Sequence, residues 1–171
     1  MKKIALILSG GSARGAYEIG VLKAILPEFQ KRGGFQIICG TSVGSVNACM
    51  LASLIHLPSE KIIDGLEHYW LTLKKEHVFL ENWAHAGLRS FLGSLKLGEA
   101  DFQGLLDTTP LKRILEAEIN WEQLSKNLKD KLVHTLTVTA TSITSGRSVV
   151  FYQSNDPNAL SVIPRDSVSR Y

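Results

Sequence analysis

Ile4 to Leu8 is an unbroken aliphatic run, the pattern of a strand buried on both faces of a parallel sheet. SGGSARG breaks it at residues 9–15, and from Ala16 apolar residues recur at Ile19, Leu22, Ile25 and Leu26. That spacing predicts a helix, closed by Pro27 and Gly33-Gly34. Phe35 to Cys39 reads as a second buried strand and Gly40 to Gly44 as a turn, followed by a helix with Val43, Val46, Met50 and Leu54 as its inner stripe. Strand, glycine turn and helix, twice in succession, predict an α/β fold: a parallel-core sheet with helices on both faces.

A third helix is expected from Ser59, with Ile62, Ile63, Leu66, Tyr69, Trp70 and Leu73 inward. Thr109-Pro110 has the form of an N-cap with proline at the first helical position, opening a helix with Leu111, Ile114 and Leu115 facing inward. Asn120 with Gln123 suggests a capping box for one more. Leu132 to Ala140 alternates, and TSGR at residues 144–147 separates it from Ser148 to Gln153, which predicts a late β-hairpin. With no repeat, linker or low-complexity tract, residues 1–171 are expected to form one domain.

In open α/β sheets ligands bind outside the carboxyl ends of the strands, so both glycine turns should face one site. The first, Gly10 to Gly15, leads into a helix N-terminus, whose free N–H groups attract an anion. The second, Gly40-Thr41-Ser42-Val43-Gly44, matches G-x-S-x-G, the turn that presents a serine nucleophile on a sharp strand-to-helix bend where only glycine neighbours fit. The backbone N–H groups of Gly11, Ser12 and Val43 would then be donors to the oxyanion of an acyl-transfer reaction. Two other readings of the first loop fail. A dinucleotide fingerprint needs glycine at Ser12 and an acid after the second strand, and a P-loop needs Lys-Ser or Lys-Thr after the last glycine.

Composition narrows the class. With 44% hydrophobic and 20% charged residues the chain is globular, and a net charge of +3 with dispersed basic residues does not favour a nucleic-acid binder. The apolar run after MKK is too short for a secretory signal, and no stretch approaches a membrane span. Cys39 and Cys49 read as reduced and buried, so the expected location is cytoplasmic, with peripheral membrane contact left open. The histidines His56, His68, His77, His85 and His134 lack metal-ligand spacing, so neither metal nor cofactor is expected.

Taken together, LILSGGSARGAYEIGVLKAI and IICGTSVGSVNACML strongly resemble the patatin-like phospholipases. Gly10, Gly11, Arg14, Gly15, Gly40, Ser42 and Gly44 fall on that family's pattern, and Ser12 stands where a third glycine is usual. The resemblance extends to the hairpin and is weak between residues 74 and 108. It implies a lipid acyl hydrolase cleaving fatty acyl esters of phospholipids or related lipids, with Ser42 as nucleophile, Gly10, Gly11, Ser12 and Val43 around the oxyanion, and Arg14, Gly15, Gly40 and Gly44 supporting loop and elbow. It also implies a Ser–Asp dyad whose Asp lies in an Asp-Gly segment beyond the hairpin. Asp64-Gly65 precedes the hairpin in a helical pattern, and Asp156 and Asp166 lie in a loop-like stretch, so no catalytic Asp is assigned. The chain is accordingly expected to stop short of its base and to be nearly inert as given.

Two ambiguities stand. Arg14 either binds a lipid phosphate or braces the loop. The segment 79–106, apolar but aperiodic and rich in glycine, is either sheet-covering core or a mobile cap that touches membrane. Competing with hydrolysis are an inert lipid- or partner-binding role of the same fold and an acyltransferase using the same serine.

Overall fold

A computed structural model describes residues 3–74, 109–142 and 145–155. The chain divides into two compact units, Met1–Leu71 with Ile119–Tyr171, and Thr72–Glu118.

The first unit is built on a four-stranded sheet in the order β1-β2-β3-β4: β1 (Ala5–Leu8), β2 (Ile37–Thr41), β3 (Thr135–Thr141) and β4 (Ser148–Ser154). β1, β2 and β3 run parallel, and β4 returns antiparallel beside β3. This is the α/β fold with a parallel core and a late hairpin that the residue pattern predicts. The helices are α1 (Gly15–Lys31), α2 (Val43–Leu54), α3 (Ser59–Thr72) and α5 (Trp121–Lys129). The described part of the second unit holds α4 (Thr109–Glu118), on which Leu111, Ile114 and Leu115 are half-buried between exposed charged residues.

The sheet is covered unequally. Leu8, Ile38 and Leu136 are buried on the face that receives α2, the helix with the most extensive contact to the strands. On the other face Ile7 is 75% exposed. β1 is therefore not buried on both faces as its aliphatic run suggests: among the described strands it stands at the edge, and its Leu8 side is the covered one. β2 also begins later than expected, at Ile37. Phe35 is buried ahead of it, stacked on Phe29 with ring centroids 4.9 Å apart.

α1 runs through Pro27 to Lys31 rather than ending near the proline. Proline removes one N–H from the helix ladder, and tertiary burial of Ile19, Leu22 and Leu26 outweighs that local penalty. What stops the helix is Gly33, at φ +94: its N–H donates to the Gln30 carbonyl (3.1 Å) and that of Gly34 to Phe29 (2.8 Å), a Schellman arrangement.

α2 departs further from expectation. Instead of one apolar stripe, it buries Gly44, Ser45, Asn47, Ala48, Cys49, Met50, Leu51, Ala52 and Ser53, nearly its whole circumference. Its small residues let it lie close to the strands. Its C-terminal carbonyls are met by Asn127 of α5, which is fully buried and donates through Nδ2 to Ala52 O (2.8 Å) and Ser53 O (3.0 Å). Asn120 caps α5 by accepting from Gln123 N at 2.9 Å, but the Gln123 side chain turns to Asn127 Oδ1 instead of back to Asn120, so the box is only half formed.

Both cysteines are free, Cys49 buried in α2 and Cys39 half-buried. Burial pushes the Cys49 thiol up to about 11 from its ordinary 9.0. At pH 8 roughly one part in a thousand is then thiolate, so iodoacetamide is expected to modify Cys39 in the native protein and Cys49 only after denaturation. The folded state keeps this proton between pH 9 and 11 while the unfolded state loses it, so stability should fall as pH rises through that window. Equal native alkylation rates at the two sites would contradict the burial of α2.

Candidate active site

Leu8 pairs with Gly40 and Thr41 with Thr139, so the loops after β1 and β2 leave the same end of the sheet. Ser42 is the residue between β2 and α2. It has φ +52 and ψ −123, a conformation that side-chain-bearing residues avoid. Hydrogen bonds fix it there: Ser42 N donates to Thr139 O at 3.1 Å, and Ser45 N to Ser42 O at 2.8 Å.

The flanking glycines are required by space. A Cβ at Gly40 would meet the backbone of Gly44 and Ser45, and one at Gly44 the Leu8 carbonyl across on β1. At Gly15 it would strike the Trp70 ring at 2.5 Å and Val43 Cγ2 at 2.9 Å. At Gly10 it would lie 3.3 Å from Ser42 Cβ, which places the first loop directly beside the serine.

Gly10 and Gly11 lead into a short 3₁₀ turn, Ser12–Arg14, that runs on into α1. Ser12 occupies the left-handed region at φ +51, which explains why glycine suits this position. Among the described residues, the N–H groups of Gly11, Ser12 and Val43 donate to no protein acceptor. Free donors from two helix starts thus border one serine, an environment that favours negative charge. Arg14 is exposed; its N–H donates to Gly11 O at 3.0 Å, and its stem lies where a Gly11 Cβ would meet Arg14 Cβ at 3.2 Å.

Ser42 is exposed, and its Oγ has no hydrogen-bond partner among the described residues. Asp64 sits on α3 with its side chain 68% exposed, 3.9 Å from Lys61 Nζ. His134 precedes β3 at the opposite end of the sheet. At about 3.3 Å per residue it stands about 16 Å from the level of Thr139, too far to serve Ser42. His77, His85, Asp156, Asp166 and the segment 79–106 lie outside the described residues. No group of three or more His, Cys, Asp or Glu capable of holding a metal occurs among the described residues.

Glu18 and Asn47, which the sequence did not single out, and Trp70, expected only as an inward residue of α3, tie the first loop to the helices behind it. Asn47 is fully buried on α2; its Nδ2 donates to Gly15 O (3.0 Å) and Glu18 Oε2 (2.9 Å), and its Oδ1 accepts from Trp70 Nε1 (2.9 Å). Glu18 Oε1 in turn accepts from Ser9 N at 2.6 Å. A buried asparagine in an otherwise small and apolar helix was the available signal, since such a group must find partners.

Compared with known proteins, residues 6–162 match the family model described as Patatin, Patatin-like phospholipase. No curated protein and no solved structure matches the chain. No helix among the described residues is long and apolar enough to cross a membrane.

Proposed function

Because the chain belongs to the patatin-like phospholipase family, whose membership implies lipid acyl hydrolysis, we propose that it hydrolyses fatty acyl esters of phospholipids or related lipids with Ser42 as nucleophile. The observation that carries the proposal is the strained exposed Ser42 beside a loop with unengaged N–H groups. In the first step Ser42 Oγ attacks the ester carbonyl carbon and gives up its proton to a base, an Asp by family resemblance, which no residue of this chain is assigned to supply. The carbonyl oxygen becomes an anion, and the N–H groups of Gly11, Ser12 and Val43 are its proposed donors. One such donor is worth roughly 3 to 4 kcal/mol of barrier. Collapse of the intermediate expels the alcohol, protonated as it leaves, and water then releases the fatty acid from Ser42. Arg14 takes the bracing role in this reading: its stem packs on the loop and its N–H closes the 3₁₀ turn.

Incubation of the chain, joined to the Asp-Gly segment that the family resemblance implies, with phosphatidylcholine vesicles and with a short-chain fluorogenic ester tests this reading; without that segment turnover is expected to be close to nil. Release of free fatty acid in the presence of EDTA is the expected result. Transfer to an added alcohol in preference to water would favour the acyltransferase, and lipid binding without product would favour the inert role.

A further inference from the structure

The glycine loop has two anchors, and both lead to the same pair of side chains. Where it begins, Ser9 N donates to Glu18 Oε1 at 2.6 Å; where it ends, Gly15 O accepts from Asn47 Nδ2 at 3.0 Å. Glu18 and Asn47 are joined at 2.9 Å, and Trp70 Nε1 holds Asn47 Oδ1 from α3 at 2.9 Å. Asn47 stands on α2, which starts immediately after Ser42 and is buried over nearly its whole circumference, against the sheet on one side and against α5 and α1. The loop is thereby referred to the same rigid body as the serine.

We propose that Glu18 is a positioning residue for acyl transfer, fixing the Gly11 and Ser12 N–H groups relative to Ser42 through Ser9 and Asn47. This rests on the reading of Ser42 as nucleophile. Its carboxylate is suited to the task because it accepts from two donors on opposite sides, and charge-assisted bonds of this kind are short and strong. Oxyanion donors act only when held in place before the reaction, so a loop released at Ser9 would weaken the chemical step and leave binding of the acyl group intact.

The test uses an alkyl fluorophosphonate. Ser42 Oγ attacks phosphorus, the P–O bond forms as P–F breaks, fluoride and the hydroxyl proton pass to solvent, and the phosphoryl oxygen takes the oxyanion position. Labelling is followed against probe concentration for the wild type, Glu18→Ala, Glu18→Gln and Ser42→Ala, each joined to the Asp-Gly segment that the resemblance implies, alongside amide hydrogen exchange over residues 9–15. Glu18→Ala is expected to lower the maximal labelling rate about tenfold or more, with the half-saturating concentration within about twofold, and to speed exchange in residues 9–15 alone. Glu18→Gln, which keeps an oxygen for Ser9 N, is expected to recover most of the rate. Unchanged labelling and exchange in Glu18→Ala would overturn the proposal, as would faster exchange throughout the core or a Gln variant as slow as Ala. If the wild type labels no faster than Ser42→Ala, the nucleophile reading fails on its own. Exchange then decides: acceleration confined to residues 9–15 sustains the positioning role, and its absence overturns it.

Discussion

In a protein that carries the Asp base, Ser42→Ala is expected to reduce ester hydrolysis to less than about a hundredth of wild type without loss of the fold. The hydroxyl is exposed and bonded to no described residue, so its removal breaks no packing and leaves no buried group unsatisfied. Stability should even rise slightly, or stay level, because alanine at a positive φ is no more strained than serine. The chemical step is a different matter: without the oxygen no acyl-enzyme forms, and losing a nucleophile of this kind costs on the order of 10⁶ in turnover elsewhere. The wild type and the variant are compared by turnover of a fluorogenic ester and by thermal unfolding in the same buffer. Turnover within tenfold of wild type would remove Ser42 from the mechanism.

The second large effect concerns folding. Gly44→Ala puts a methyl group against the Leu8 carbonyl, and Gly40→Ala puts one against the backbone of Gly44 and Ser45. The obstacles are main chain and cannot rotate away, so each change must separate α2 from the strands it is packed on. Overpacking of this kind costs about 1–3 kcal/mol or more, which for a chain of this size lowers Tm by about 2–4 °C per kcal/mol. Gly20→Ala is the matched comparison, because a Cβ there meets nothing within 4 Å on an exposed face of α1. It should gain about 0.5–1 kcal/mol, the ordinary advantage of alanine over glycine inside a helix. Opposite signs of ΔTm for one and the same chemical substitution are the expected outcome; a neutral Gly44→Ala would show that the elbow is looser than its geometry.

What the residue pattern revealed was of two kinds. Periodicity and turn residues located every described strand and α-helix, though not the 3₁₀ turn at Ser12–Arg14, because burial on a sheet and helix capping leave local marks. Patterns repeat locally, but burial depends on neighbours distant in sequence. Hence Ile7, at an edge, is exposed despite its aliphatic setting, and α1 passes through Pro27 on the strength of its packing. Of the site, the glycine spacing announced the elbow, since sterics at Gly40 and Gly44 are specific to that bend. Glu18, Asn47 and Trp70 were invisible as a group: they lie on three helices, and only the fold brings a carboxylate, an amide and an indole within hydrogen-bond reach.

The pairing of β2 with β3 has a consequence for how the molecule assembles. β1, α1 and β2 are contiguous in sequence, and so are β3 and β4, but Ile37 meets Thr135 only after all of the intervening chain has been looped out. The Ser42 elbow is complete only where that pairing is made, because Ser42 N is held by Thr139 O. Closure entropy grows only with the logarithm of loop length, so doubling the excursion between the two strands would cost about 0.6 kcal/mol. The same topology that makes the elbow depend on a strand distant in sequence therefore tolerates a longer or shorter excursion at little expense to the sheet on which the site is built.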